Sequence, residues 1–341
     1  MRGLAACVVA FALVAGAAEA AQVSGFIDVG YNWNLEGQSP NRARLYSDDP
    51  DTFTVNAAHL KLSGMFAEDS EYVVELDIGY NNSLESWAAL GMWSESLIQE
   101  AYIGSKLGDN GLNLRAGKFE ALSGMEGMDS PENPCVSRGL LFSYALPRTY
   151  TGALLGYSDR QFDARLGLVN GWNTLVDNDT DASILARLSV EPEGSNFAFK
   201  ASYLSGTEGA DERDTLDVLV SFDATSRTKI DVEYTSSSED DNEEWSGLGV
   251  QALIKPTDLF ALGLRYESLD NPDGAAPGGF GPLAAGDYTS ITLAPAFVLS
   301  ETSTVRFEFR IDKADFNAFL DSDGNPTDAQ KTLAVQVFTT F

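Results

Sequence analysis

The sequence contains few of the residues from which catalytic and metal centres are usually built. Its 341 residues include two cysteines and one histidine. Basic residues are also scarce, because 22 Lys and Arg stand against 51 Asp and Glu, a formal net charge of −29. Nucleic acid requires a clustered basic face, so this charge argues against a nucleic-acid partner. The composition therefore predicts neither an enzyme nor a cofactor-binding protein.

Long hydrophobic runs are missing after the first twenty residues. No stretch of about 18 apolar residues follows them, which excludes a helical membrane protein, and the mean hydropathy is −0.13. The chain is nevertheless 44% hydrophobic and 11% aromatic. This apolar content is too high for a disordered protein, so we expect an ordered fold.

Residues 1–20 have the organisation of a cleavable export signal. Met1-Arg2 is a short basic start, Leu4–Ala18 is apolar, and Ala18-Glu19-Ala20 is a small-x-small cleavage site. We predict cleavage after Ala20, with Ala21 as the alternative.

Alternation of apolar with polar residues dominates the rest of the chain. In 23–35 the odd positions are mostly apolar or aromatic and the even positions are mostly small or polar, the period of a strand with one apolar face. Similar stretches recur, and about 16 strands result, each near the ~9–11 residues that cross a bilayer at a tilt. The weaker strands are predicted at 52–66, 97–107, 112–119, 149–158, 245–254 and 287–297. Pro295 cannot donate to a sheet ladder, so we expect a bulge there.

The predicted connections alternate in length along the chain. The short set is 67–70, 108–111, 158–161, 191–196, 224–228, 255–258 and 299–302. The generally longer set is 36–51, 81–96, 120–148, 173–181, 205–213, 237–244, 269–286 and 313–330. A soluble β-sandwich has alternating strands but no reason to alternate loop length. We therefore predict an all-β, antiparallel, up-and-down transmembrane barrel with short periplasmic turns and long extracellular loops, formed by 21–341 as one domain.

An ordered set of short motifs supports this prediction. The motifs are Ile98-Gln-Glu-Ala-Tyr-Ile103, Leu114-Arg-Ala-Gly-Lys-Phe119, Met128-Asp-Ser-Pro-Glu-Asn-Pro134, Ser137-Arg-Gly-Leu-Leu-Phe142, Pro147-Arg-Thr-Tyr-Thr-Gly152 and Leu168-Val-Asn-Gly-Trp172. In this order they resemble the OmpL-like β-barrel porin family, the porin 2 type, of bacterial outer membranes. Arg148 and Tyr150 depart from the aromatic and the histidine of the family's string. The resemblance implies a channel-forming barrel in the outer membrane.

The polar face of each strand should point into such a barrel, because lipid accepts only the apolar face. The predicted pore-lining residues are Asp28, Glu75, Asp77, Glu100, Arg115, Lys118, Arg165, Arg187, Lys200, Asp231, Glu233, Arg265, Arg306, Glu308 and Arg310. Asp163, Asp217, Lys229 and Glu267 are predicted to share this face. These charges roughly balance, so the excess of acids should lie mainly in the loops.

The 29-residue connection 120–148 is the longest. We predict that it folds inward as a constriction loop, with an outward loop as the alternative. Its charged residues are Glu120, Glu126, Asp129, Glu132, Arg138 and Arg148. Four acids against two bases predict weak cation selectivity.

His59 is interpreted as a solvated histidine of the lumen. No serine stands two positions after it and no Gly-x-Ser-x-Gly motif occurs, so a hydrolase triad has no support. Asp177-x-Asp179-x-Asp181 and Asp321-x-Asp323-x-Asn325 resemble calcium loops without the required glycine and glutamate. We interpret both as surface loops and predict no metal site.

Two functional hypotheses remain open from the sequence. The first is a porin for passive diffusion of small hydrophilic solutes and ions. The second is a non-transport structural or adhesive barrel whose acidic loops are bridged to lipopolysaccharide by divalent cations. Outer-membrane lipid is the expected surrounding, and a homotrimer is expected by analogy with general porins. The terminal aromatic Phe341 resembles a signal for the barrel assembly machinery.

Overall fold

The computed structural model describes residues 21–46, 49–80, 97–177, 181–240, 243–277 and 283–341. The predicted signal peptide, the predicted loop 81–96 and Asp179 lie outside these ranges. In the described part, sixteen antiparallel strands form one closed barrel in which strands adjacent along the chain are paired. The predicted fold class is therefore confirmed.

The strand bounds set the frame for the interior. The barrel strands are β1 (Gln22–Asn34), β2 (Thr52–Ala67), β3 (Ser70–Ile78), β4 (Ile98–Lys106), β5 (Leu112–Glu120), β6 (Thr149–Ser158), β7 (Phe162–Val169), β8 (Ser183–Val190), β9 (Phe197–Glu208), β10 (Asp211–Thr225), β11 (Thr228–Glu239), β12 (Glu244–Thr257), β13 (Phe260–Asn271), β14 (Gly286–Val298), β15 (Ser303–Ala314) and β18 (Ala329–Thr340). A small hairpin, β16 (Phe319–Leu320) with β17 (Pro326–Thr327), lies between β15 and β18. Two single helical turns, Ser130–Glu132 and Leu141–Ala145, lie between β5 and β6. Within the described residues, no helix has the length and apolar character needed to cross a membrane.

The first and last strands close the barrel. β1 and β18 are paired from Phe26 opposite Thr340 to Asn34 opposite Thr332. The backbone N–H of Phe341 donates to the carbonyl of Gly25 at 3.0 Å, and the N–H of Gly25 donates to the carbonyl of Phe341 at 3.1 Å. Closure leaves the barrel without a free edge strand, the condition that a sheet must meet in lipid.

The two faces of the sheet are opposite in character to those of a soluble protein. Ile27 and Phe307 on the outer face are each 45% exposed, whereas Asp28 and Arg310 on the inner face are fully buried. The outer face is apolar and the inner face is polar and charged, as the period-two pattern predicts. Such an outer surface is suited to lipid contact.

The sequence-predicted bulge at Pro295 is wrong. β14 keeps one register past the proline, with Leu293 opposite Phe309 and Ala296 opposite Arg306. On the other side Pro295 remains opposite Leu262. The missing donor of proline is accommodated by a short gap in pairing toward β15, so no extra residue is inserted.

Two predicted long connections are shorter than expected. β9 ends at Glu208 and β10 begins at Asp211, and β11 and β12 are separated only by 240–243. Arg213 explains part of this extension, because its guanidinium forms an ion pair with Glu239 and lies 5.0 Å from the Trp172 ring centroid. These contacts stabilise strand pairing beyond the predicted strand ends.

The interior of the barrel

Residues 121–148, here called the inner segment, lie inside the barrel. Backbone N–H groups of this segment donate to inward carboxylates of four strands. Gly124 donates to Asp217 of β10 at 2.9 Å, and Met125 donates to Glu233 of β11 at 2.7 Å. Glu308 of β15 accepts from Val136 and Ser137 at 2.7 and 2.9 Å, and Glu267 of β13 accepts from Leu140 and Leu141 at 2.9 and 3.2 Å. The Ser130 hydroxyl donates to Asp28 on β1 at 2.5 Å. The segment is therefore attached to five strands of the wall.

Inward arginines satisfy the carbonyl groups of the same segment. Arg265 donates to the carbonyl of Ser137 at 2.8 Å, Arg306 to that of Cys135 at 2.9 Å, and Arg310 to that of Arg138 at 2.6 Å. An irregular buried backbone has no ladder partners, and each unpaired group would cost about 1–3 kcal/mol. The charged wall thus supplies both acceptors and donors to a segment whose only regular structure, in the described residues, is two short helical turns.

A buried ion-pair cluster connects the inner segment to β13. Arg265 contacts Glu126 of the segment and lies 3.2 Å from Glu267 of its own strand. Glu126 also accepts the N–H of Gly139 at 2.6 Å. A side chain at position 139 would collide with the Glu267 carboxylate, so this close approach requires glycine.

The loop between β1 and β2 also reaches the interior wall. Arg44 donates to Asp312 of β15 at 2.8 Å and to Thr332 of β18 at 3.0 Å. Burial and the neighbouring Arg310 lower the pKa of Arg44, and Asp312 raises it. Arg44 was not among the residues predicted for the interior, because nothing in a polar loop indicates that its arginine enters the barrel.

An apolar layer packs on the same segment. Leu140, Leu141 and Ala145 belong to a buried cluster that includes Phe119 and Trp245 of the wall. Arg138 lies 5.7 Å from the ring centroids of both Tyr46 and Phe142, and donates to the carbonyls of Gly127 and Met128. The segment is thus held by apolar packing as well as by polar contacts.

Fourteen of the fifteen residues predicted to line the pore are on the inward face. Ten are buried: Asp28, Glu75, Asp77, Glu100, Asp231, Glu233, Arg265, Arg306, Glu308 and Arg310. Four are partly exposed: Arg115, Arg165, Arg187 and Lys200. All four are basic and lie on β5, β7, β8 and β9, so the accessible part of this set is a basic stretch of wall.

Lys118 is the exception, and its predicted inward position is wrong. It stands opposite Ala101 of β4 and Thr151 of β6, on the face that carries the exposed Leu114. Arg115 and Lys118 are separated by an odd number of positions, so a strand without a register shift places them on opposite faces. The amine of Lys118 donates to the carbonyl of Ile98 at 2.7 Å.

The six predicted constriction-loop residues differ in accessibility. Glu126 and Arg138 are buried, Glu120 and Arg148 are half-buried, the Asp129 side chain is 21% exposed, and Glu132 is exposed. Partial desolvation, with the nearby carboxylates of Asp129 and Glu75, raises the pKa of Glu132. The carboxylates of this segment that reach the remaining interior space are chiefly Asp129 and Glu132.

A cavity of about 350 Å³ lies at the short-turn ends of β2 to β7, and its lining includes Glu71, Arg115 and Arg165.

His59 faces the interior but is not solvated, so that part of its sequence interpretation is wrong. The residue is 4% exposed and its ring stacks on Phe26 with centroids 4.8 Å apart. Its Nδ1 lies 3.7 Å from Asp129 Oδ1, and its Nε2 lies 3.8 Å from Glu75 Oε2. The inner segment supplies Asp129, a neighbour that strand patterning could not reveal.

Solved porin structures share this architecture. An anion-selective porin from Comamonas acidovorans is 12% identical, with a TM-score of 0.62 over 94% of this chain and 99% of that chain. An OmpF of Salmonella typhi in complex with daunomycin is 14% identical, with a TM-score of 0.63 over 94% and 97%. OmpT of Vibrio cholerae in a trimer form is 12% identical, with a TM-score of 0.60 over 96% and 100%. At these identities the likeness establishes the fold alone.

The sequence itself identifies the family. No curated protein matches the sequence significantly. The sequence model of the family described as "Putative beta-barrel porin-2, OmpL-like" matches residues 20–341, which include every strand of the barrel. The chain therefore belongs to the OmpL-like beta-barrel porin-2 family.

Proposed function

We propose that the protein is an outer-membrane porin that lets small hydrophilic solutes and ions diffuse passively through a water-filled channel. The observation that carries this proposal is a closed barrel with an apolar outer face whose interior keeps partly exposed charged side chains. Arg115, Arg165, Arg187 and Lys200 supply the basic part of that surface. A permanently hydrated, charged path is what ion passage requires.

The inner segment is the proposed constriction. Its attachment to β1, β10, β11, β13 and β15 holds it across part of the lumen, so it reduces the open cross-section. Asp129 and Glu132 are accessible on this segment, and the partly exposed bases lie on β5 and β7 to β9. Opposed charges in a low-dielectric channel produce a transverse field that orients passing solutes.

Weak cation selectivity in dilute salt is proposed for this channel. The net charge of −29 resides mainly in the loops, so the mouth should concentrate cations. Screening acts beyond ~8 Å at about 0.15 M salt, so this preference should fall as salt rises. The accessible arginines of the wall act in the opposite direction, which limits the preference.

Conductance in planar bilayers tests the function and the constriction together. We expect stepwise ion currents, and a reversal potential in a KCl gradient with chelator that indicates cation preference. The double variant Asp129→Asn/Glu132→Gln should shift the reversal potential toward anions. The matched control Asp109→Asn/Glu193→Gln removes the same charge from two exposed short turns and should stay near the unmodified protein.

Three outcomes would contradict parts of the proposal. Absence of conductance from folded, inserted protein would support the non-transport barrel instead. Equal shifts of the reversal potential in the two double variants would mean that the inner segment does not form the narrowest point of the channel. Anion preference in dilute salt would mean that the wall arginines outweigh the acidic mouth.

Export and assembly complete the proposal. Residues 1–20 direct export and are removed after Ala20, and the barrel assembly machinery inserts the chain. In the membrane, lipid and lipopolysaccharide surround the barrel.

One structural relative is known in a trimer form, which supports a homotrimer. Light scattering of the detergent-solubilised protein tests this assembly, and a monomeric mass would contradict it.

A further inference from the structure

A histidine and two carboxylates from three separate elements meet at the inner wall. His59 lies on β2, Glu75 on β3, and Asp129 on the inner segment next to the turn Ser130–Glu132. One ring nitrogen and one oxygen from each carboxylate lie within 4.8 Å of one another. This arrangement has the donor types and the proximity of a metal-binding set.

Neighbouring side chains hold the three residues in place. His59 stands opposite Asp77 and Lys61 stands opposite Glu75 in the β2–β3 ladder, so all four belong to the inward face. Phe26 stacks on the imidazole at an interplanar angle of 11°. Lys61 contacts Glu75 and, from β4, Gln99 donates to Asp129 Oδ1 at 2.7 Å. Ligands supported by outer hydrogen bonds in this way are typical of metal sites.

The cluster contains buried polar atoms that lack partners. Among the described residues, His59 Nδ1, Asp77 Oδ1 and Gln99 Oε1 accept or donate no hydrogen bond. His59 is 4% exposed, and its Nδ1 lies 3.7 Å from Asp129 Oδ1. A buried polar group without a partner costs about 1–3 kcal/mol, and a metal ion bound at His59 Nδ1 would remove that cost for the imidazole.

Charge and access both favour a cation at this position. The side chains of His59 and Glu75 are 3% and 6% exposed, whereas that of Asp129 is 21% exposed, so the cluster is most accessible at Asp129. Asp77 and Glu132 add carboxylates around it, and Lys61 is the amine in direct contact. A cation can therefore reach the cluster from the interior and meets a negative surrounding.

We propose that His59, Glu75 and Asp129 bind a divalent transition-metal ion of the zinc type, with water completing its coordination. The imidazole separates this site from magnesium or calcium sites, which are built from oxygen ligands. Donors about 2.0–2.1 Å from a tetrahedral zinc are about 3.4 Å apart. The ion would bind Nδ1, which lies 3.7 Å from Asp129 Oδ1. One ligand atom from each of the three residues lies within 4.8 Å of the others, so the donors must move closer together by about 1 Å to reach this spacing. Binding would link the barrel wall to the inner segment.

The single histidine of the chain gives a direct test. Folded protein in detergent micelles, labelled with ¹⁵N in histidine, has one imidazole. Titration with zinc chloride should shift its ring nitrogen resonances, saturate at one equivalent and be reversed by chelator, whereas magnesium should have no effect. Unchanged resonances at an excess of zinc would overturn the proposal. This measurement needs neither a conducting channel nor a variant.

Variants then assign the ligands by calorimetric zinc titration. His59→Gln should abolish the stoichiometric binding, and Glu75→Gln and Asp129→Asn should each weaken it at least tenfold. Asp109→Asn/Glu193→Gln removes two acids elsewhere and should bind zinc as the unmodified protein does. Retention of the same zinc affinity by His59→Gln, or by both carboxylate variants, would locate zinc on other acids and refute the assignment.

Discussion

The main role of several charged residues of the interior is to form hydrogen bonds with the backbone of the inner segment. Glu267 and Glu308 each accept two backbone N–H groups, and Arg306 and Arg310 donate to backbone carbonyls. Such charges are far from water, and their cost of burial is compensated only by these contacts. Substitution should therefore affect stability before it affects ion passage.

Glu126→Ala tests this role at one residue. The change leaves Arg265 without one of its two carboxylates and Gly139 without its acceptor, so we expect a loss of about 3–5 kcal/mol in the free energy of unfolding. Denaturant unfolding in micelles, followed by tryptophan fluorescence, measures it. Glu132→Gln is the matched control on the same segment, and it should change stability little because Glu132 is exposed. Equal stability of both variants would contradict the structural role of Glu126.

Cys135 reports whether the inner segment stays in place. The thiol is fully buried, and burial raises its pKa to about 12, so at pH 8 it is protonated as well as inaccessible. In protein without residues 1–20 it is the single thiol, since the other cysteine is Cys7. We expect maleimide to label Cys135 slowly in the folded barrel and rapidly after unfolding. Rapid labelling of the folded protein would mean that the segment leaves the wall.

At the scale of elements, the terminal strand both closes the barrel and carries the predicted assembly signal. Phe341 exchanges two backbone hydrogen bonds with Gly25, and its side chain is 61% exposed on the outer face. Deletion of Phe341 should reduce insertion into the outer membrane and retain the chain in the periplasm. Cell fractionation and immunoblotting measure the distribution.

A matched variant separates this role from that of an ordinary outer aromatic. Phe307→Ala removes an outward phenylalanine that is 45% exposed on β15, and we expect only a mild defect from it. Phe341→Trp keeps the terminal aromatic and should preserve insertion. Normal surface levels of the chain that lacks Phe341 would contradict an assembly signal. Equal insertion defects in that chain and in Phe307→Ala would contradict it as well.

For the whole molecule, closure predicts unusual resistance to detergent. Every barrel strand is paired on both sides, so unfolding has no edge from which to start. Unheated protein in dodecyl sulfate should therefore migrate differently from boiled protein on gels. Far-ultraviolet circular dichroism of the unheated form should be dominated by β-structure. A single heat-independent band with a helical spectrum would contradict the barrel.

Local patterns in the sequence determined most of the barrel. In 23–35 the alternation of apolar and polar residues predicted both the strand and its outer face, and Asp28 and Ile27 occupy the predicted faces. This succeeds because a strand has a fixed period of two and the bilayer demands one uniformly apolar face. Lys118 shows the limit, since its charge suggested an inward position that the strand period excludes.

Only the tertiary structure decided what fills the interior. The length of 120–148 predicted an inward loop, yet its pairing with Glu233, Glu267 and Glu308 follows from no local pattern. The burial of His59 against Asp129 likewise joins elements that are distant along the chain. Periodicity records which face a residue occupies, whereas contacts across the barrel depend on closure, which brings all sixteen strands around one shared space.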